Sequence, residues 1–181
     1  MKRSNMMVFT GVFLVSIVLL TGCPSEQSRQ RQASPPPMPL ITPDQINSLE
    51  SAAKMTPKNP AGWIALGNAL MDTRQFPAAI DAYKKALALD PNNVDVRVDM
   101  GTCYRGSGQP EKAIEEYRKA IKINPNHLNA HRNAGVVLAF DLKKPLDAAK
   151  AFERYLELAP NSPDAADIRH TIDDLKSGGH K

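Results

Sequence analysis

Apolar side chains are distributed along this chain in three ways, and each predicts a different kind of segment. From Met6 to Leu20 (MMVFTGVFLVSIVLL) there is no charge at all. From Pro24 to Ile41 (PSEQSRQRQASPPPMPLI) neither helical nor strand periodicity is present. From Pro43 onward, small and apolar residues return at helical spacing in short stretches separated by Pro, Asn and Gly. The first run, as a helix of about 15 residues, rises about 22 Å, short of the ~30 Å hydrocarbon core. With Lys2 and Arg3 before it, it reads as a secretory signal peptide; a simple membrane anchor is the weaker alternative. The second run cannot bury enough apolar surface to offset its ordering entropy and is expected to be extended, with a reach of up to about 50 Å. It reads as a spacer, with a proline-rich ligand for another domain as its rival.

The end of the apolar run is more specific. Leu20-Thr21-Gly22-Cys23 resembles the lipobox of bacterial lipoproteins. The resemblance implies that residues 1–22 are removed, and that Cys23 becomes the first mature residue, carrying a thioether-linked diacylglyceryl group and an N-acyl chain such as palmitate. These chains would hold the protein to a membrane, since stable attachment takes two acyl chains or their equivalent. An ordinary cleavage site with a cysteine beside it is the alternative. In Gram-negative members an aspartate after the cysteine commonly signals inner-membrane retention. Pro24 stands there instead, which favours the outer membrane, facing the periplasm, if the envelope is of that type. Residues 23–42 are then a lipidated tether.

The third part is a repeat. Three 34-residue segments align: 60–93, 94–127 and 128–161, the last set one residue late from its middle onward. The first carries Trp63, Leu66, Gly67, Ala79, Tyr83, Ala86 and Pro91. The second carries Met100, Gly101, Tyr104, Ala113, Tyr117, Ala120 and Pro125, and the third Gly135, Leu138, Ala148, Phe152 and Pro160. The spacing resembles the tetratricopeptide repeat (TPR) family, which implies an all-α solenoid of helix-turn-helix units. The extra residue of the third repeat is expected in its inter-helix turn. Small residues in both helices let the backbones approach, the aromatics fill the space beside them, and the prolines end each second helix. In the third repeat Tyr155 replaces Ala86 and Ala120, which predicts looser packing there. Thr42-Pro43-Asp44-Gln45 reads as a capping box opening a half-repeat helix over 43–55, with Leu49, Ala52 and Pro57 at repeat positions. A capping helix follows Ser162-Pro163-Asp164, with Ala165, Ile168, Ile172 and Leu175 on one face, as a solenoid end requires. The folded domain is thus expected over 43–176 and a disordered tail over 177–181.

Charge and chemistry narrow the reading. The net charge is +4, of which Lys2 and Arg3 supply two. No basic block is interleaved with aromatics, so nucleic acid is not an expected partner. His127 and His131 have a helical metal spacing, but His127 falls before the helix and no third ligand is evident, so both read as structural or solvated. Cys103 is the only thiol besides Cys23 and reads as a packing residue, with intermolecular pairing as the alternative. Glu115 and Glu116 diverge on a solvated face. No catalytic residues, metal ligands or cofactor site emerge, so an enzyme is not expected.

The TPR resemblance implies a concave groove, lined by the first helices, that holds a peptide or a partner's helix. By repeat position its lining is Ile64, Asn68, Met71 and Asp72, then Asp95, Val98, Thr102 and Arg105, then Asn129, Arg132, Val136 and Phe140. The carboxylate clamp that some TPR proteins use for chaperones is absent: Asn68 fits, but Ile64, Asp99, Asn129 and Asn133 hold its other places. Arg105 and Arg132 point to an acidic or C-terminal peptide. The combined expectation is a lipid-anchored envelope scaffold or assembly factor that binds another envelope protein or peptide. It resembles lipoproteins that help assemble pilus secretins or outer-membrane complexes. An accessory subunit of an envelope enzyme or maturation complex, and a small-solute-binding lipoprotein, are the rivals.

Overall fold

The computed structural model describes residues 41–178, which fold entirely into helices and connecting turns. Residues 1–22, Cys23 and most of the tether therefore lie outside the described residues, as does the end of the tail. The helices are α1 (Pro43–Met55), α2 (Pro60–Asp72), α3 (Phe76–Leu89), α4 (Val94–Gly106), α5 (Pro110–Ile123) and α6 (Leu128–Val136). The last of these runs on into a π-helical turn (Val137–Asp141), and α7 (Pro145–Leu158) and α8 (Ala165–Ser177) follow.

Each start has a chemical cause. Thr42 and Gln45 form a reciprocal capping box: the Gln45 N–H donates to Thr42 Oγ1 (3.3 Å) and the Thr42 N–H to Gln45 Oε1 (2.8 Å). Proline opens α1, α2, α3, α5 and α7, where its missing N–H costs nothing. The first helix of each repeat is capped at one repeat position by Asn59, Asn93 and His127, whose side chains accept from Ala61, Val96 and Ala130 N–H.

Within each repeat the two helices meet at a glycine facing an aromatic ring. A Cβ on Gly67 would lie 2.5 Å from Tyr83, on Gly101 2.5 Å from Tyr117, and on Gly135 2.6 Å from Phe152. All three rings are fully buried. The cores join into two clusters, one around Trp63, Leu66, Leu70 and Tyr83, the other around Tyr117, Val137, Leu138 and Phe152. In α1 the buried alanine is Ala53 rather than Ala52: its backbone meets Gly62, where α1 and α2 close on each other.

Two expectations are corrected. The extra residue of the third repeat is not in the turn. All three inter-helix turns hold three residues, with Arg74, Gly108 and Lys143 in the middle at positive φ (58°, 75° and 54°). The insertion is absorbed in the π-turn, where the Leu142 N–H reaches back to Val137 O at 2.9 Å. Nor is packing loose at Tyr155. It is buried, and its hydroxyl donates to Asp164 Oδ1 at 2.7 Å, which holds the chain entering α8 against α7. Ser177 closes α8 and Gly178 takes the left-handed cap conformation, so the helix extends to the first residue of the expected tail.

Gly101→Ala is expected to destabilise the fold by about 1–3 kcal/mol, because its Cβ has no space beside a buried ring. Urea denaturation measures this, and adding Tyr117→Leu is expected to restore part of the loss.

Candidate functional site

The first helices of the repeats, α2, α4 and α6, carry the residues that sequence assigns to a groove. The structure sorts them into those that serve the fold and those left free.

Position 68 and its repeats, Thr102 and Val136, answer the aromatic behind them. The buried Tyr83 hydroxyl donates to Asn68 Oδ1 at 2.8 Å and lies 3.8 Å from Met71 Sδ. The Tyr117 hydroxyl lies 3.2 Å from Thr102 Oγ1, whose own hydrogen bond runs to Val98 O. Phe152 has no hydroxyl, and Val136 packs against its cluster. Ile64 and Met71 pack against the N-terminal core. Val98 does not line a groove: it is 4% exposed and belongs to the C-terminal core.

Both arginines are engaged. Arg105 Nε donates to Asp141 Oδ2 at 2.6 Å, and Arg132 Nε to Asp164 Oδ2 at 2.7 Å. The Arg132 guanidinium and the Tyr155 hydroxyl hold the Asp164 carboxyl down at about 2. Arg132 is thus a strut that docks α8, not a free cation. Asp141 and Asp164, the partners that sequence reasoning missed, lie 36 and 32 residues away, beyond any repeat pattern.

What stays free is mostly acidic or apolar. Asp72 and Asn129 are exposed and make no side-chain hydrogen bond or ion pair among the described residues. Asp95 accepts from His127 Nε2 at 2.9 Å. His127 Nδ1 in turn accepts the Ala130 N–H, so the ring caps α6 while it meets Asp95. Asp99, which sequence placed at a clamp position but not in the groove lining, is half-buried and has no hydrogen bond or ion pair among the described residues. Burial first, then the Asp95 and Asp72 charges, push its carboxyl up to about 6, while His127 works the other way. Phe140, in the π-turn, is 55% exposed. Beside its neighbour Asp141 lies a cavity of about 340 Å³ lined by Phe76, Thr102, Arg105, Gly106 and Asp141. A second cavity, about 380 Å³, lies among α1, α2 and α3, with Trp63 and Leu66 in its lining and Glu50, Asp81 and Lys85 around them. The Lys85 ammonium sits 4.2 Å from the Trp63 ring centroid.

The other candidate groups have structural partners. His131 is buried, its Nε2 2.9 Å from Pro125 O. Among the described residues no three His, Cys, Asp or Glu side chains are grouped to hold a metal. Cys103 is buried, and burial with the Asp99 charge pushes its thiol up to about 12, which keeps it protonated and unreactive. Glu116 is not on a solvated face: it is buried and pairs with Arg97 (3.1 Å) and Lys119 (2.6 Å).

Comparison with known proteins agrees with this architecture. A family model described as "Cytochrome c-type biogenesis protein H TPR domain" matches residues 44–166. No curated protein sequence matches the chain. Among solved structures, a crystal structure of MamA is 22% identical with a TM-score of 0.68, covering 74% of this chain and 76% of that one. The first TPR of Spaghetti (RPAP3), bound to the HSP90 peptide SRMEEVD, is 24% identical with a TM-score of 0.60, covering 66% of this chain and 91% of that one. At such identities these structures speak for the fold alone.

Asp99 and Asp164 set opposite pH dependences. A carboxyl raised in the folded state contributes stability that is complete below its unfolded value near 3.8 and lost as pH rises through about 6. Asp164, lowered, contributes stability above about 3.8 that is lost as pH falls through about 2. Asp99→Asn is therefore expected to stabilise the protein at pH 7.5 by about 1 kcal/mol, after allowance for solvent screening of a half-buried group, and to have little effect near pH 4. Thermal unfolding at the two pH values tests this, and equal effects at both would contradict it.

Proposed function

Because the chain belongs to the family of the cytochrome c-type biogenesis protein H TPR domain, we propose that it is a lipid-anchored interaction scaffold of the bacterial cell envelope. On this reading it holds a peptide or helix of another envelope protein on the inner face of α2, α4 and α6. The observation that carries the reading is a set of side chains on that face for which the fold has no use. Asn68, Thr102, Val136, Val98 and Arg132 all have structural partners, whereas Asp72, Asn129 and Phe140 have none. An exposed aromatic is the kind of feature that anchors a partner chain. Both cavities open to solvent and have charged residues in their linings, which suits a polypeptide better than an enclosed small solute.

The family's name favours one version of this role, in which the scaffold is the accessory subunit of a maturation complex. The anchor half of the reading rests on Leu20-Thr21-Gly22-Cys23, the apolar run before it and the proline-rich segment after it. Pro24 in place of an aspartate favours outer-membrane attachment if the envelope is Gram-negative.

Two experiments test the two halves. A photo-crosslinking amino acid at position 140 is expected to capture one envelope protein in cells, while the same group at Glu115, on the exposed outer side of α5, does not. Equal capture at both positions, or none at 140, would remove the inner face as the binding surface. Cys23→Ala is expected to abolish palmitate labelling and leave an unprocessed precursor, and lipid incorporation by that variant would overturn the anchor.

A further inference from the structure

We infer that the partner segment held on the inner face is cationic and presents lysine or arginine to Asp72, Asp95 and Asp99 of α2 and α4. The inference rests on the reading of that face as the binding surface and specifies the chemistry of what it binds.

Charges are compensated differently in the two kinds of helix. Each second helix carries an ion pair along its own length. Lys54 pairs with Glu50 in α1, Lys84 with Asp81 in α3, Lys119 with Glu116 in α5, and Arg154 with Glu157 in α7, all three or four residues apart. Among the described residues, no first helix has such a pair. Their arginines are each held by an acid from elsewhere in the fold: Arg97 by Glu116, Arg105 by Asp141 and Arg132 by Asp164. Once those pairs are formed, the side chains of α2, α4 and α6 retain three carboxylates and no free guanidinium or ammonium. The exposed aromatic Phe140 stands on the same set of helices.

Asp99 makes the case sharper. It is half-buried between like charges from α4 (Asp95) and α2 (Asp72), with His127 of the α6 cap working the other way and the buried Tyr83 hydroxyl and Cys103 thiol beside it. Among the described residues it has no hydrogen bond or ion pair, and it stands where a carboxylate clamp would need an asparagine. A peptide's carboxylate is repelled there, whereas an ammonium or guanidinium removes the repulsion among all three acids at once. The acidic occupant suggested by Arg105 and Arg132 in the sequence is thereby replaced by its opposite.

The test uses the full chain and three synthetic amphipathic peptides of equal length and identical apolar positions, with Lys, Gln or Glu at every polar position. The lysine peptide is expected to bind about tenfold or more tighter than the glutamine peptide and the glutamate peptide weakest, the spread narrowing as salt is raised. Asp99→Asn and Asp72→Asn are each expected to weaken lysine-peptide binding several-fold, although Asp99→Asn stabilises the fold at neutral pH. Glu115→Gln, on the outer side, is expected to leave it unchanged. If the lysine and glutamate peptides bind equally and Phe140→Ala weakens both, the cationic inference fails while the inner face stands as the binding surface. If Glu115→Gln weakens binding as much as Asp99→Asn, the attraction is unspecific and the inference fails. If no peptide binds, or neither Phe140→Ala nor Asp99→Asn alters binding, the inner-face reading falls with it.

Discussion

The absence of one carbon atom per repeat governs this structure. At Gly67, Gly101 and Gly135 a Cβ would sit inside an aromatic ring of the following helix, so the two helices of each unit reach their separation only because glycine is there. The ring that takes the space is wholly buried and contributes on the order of 2–3 kcal/mol of apolar burial. The contact also reaches the surface. Tyr83 and Tyr117 bring hydroxyls through the packing layer, and a buried hydroxyl needs a partner. Asn68 and Thr102 supply one, and in the third repeat, where the ring is Phe152, the same position is Val136. The residue opposite the ring is therefore dictated from inside, although it lies on the face that would meet a partner.

A second regularity links residues that look unrelated in the sequence. Trp63, Arg97 and His131 occupy one repeat position and make one bond, each donating a ring or guanidinium N–H to a proline carbonyl six residues earlier: Pro57, Pro91 and Pro125. That position requires a long side chain ending in an N–H donor, and indole, guanidinium and imidazole all meet the requirement. The Asn59, Asn93 and His127 caps show the same economy with a single acceptor. The two histidines that suggested a metal spacing are local solutions to these two positional demands.

This explains what could be read from the sequence and what could not. Helix limits, capping residues and glycine–aromatic pairs are properties of one repeat, and a 34-residue period displays them. The site of the third-repeat insertion was not legible, because an added residue shifts the alignment equally whether it enlarges a turn or widens a helix. Lys143 keeps the left-handed conformation of Arg74 and Gly108, so the turn kept its geometry and the helix yielded. The burial of Val98 and the engagement of Arg105 and Arg132 depend on contacts between repeats. Periodicity within a repeat carries no information about them.

The electrostatic pattern follows from the same division of labour. A second helix carries oppositely charged residues three or four apart on its exposed side. The charges of a first helix have no opposite charge three or four residues away and must find partners in space. Where they find one, as at Asp141 and Asp164, the pair fastens one repeat to the next or to the cap. Where they find none, as at Asp72 and Asp99, the field stays directed outward over a distance of about a Debye length, roughly 8–10 Å at physiological salt. Asp99 raises the energy of the fold at neutral pH, and a solenoid can carry that cost because its stability is spread over many glycine–aromatic and neighbour contacts. A destabilising charge in the middle of the face that would meet a partner is one the fold alone does not require.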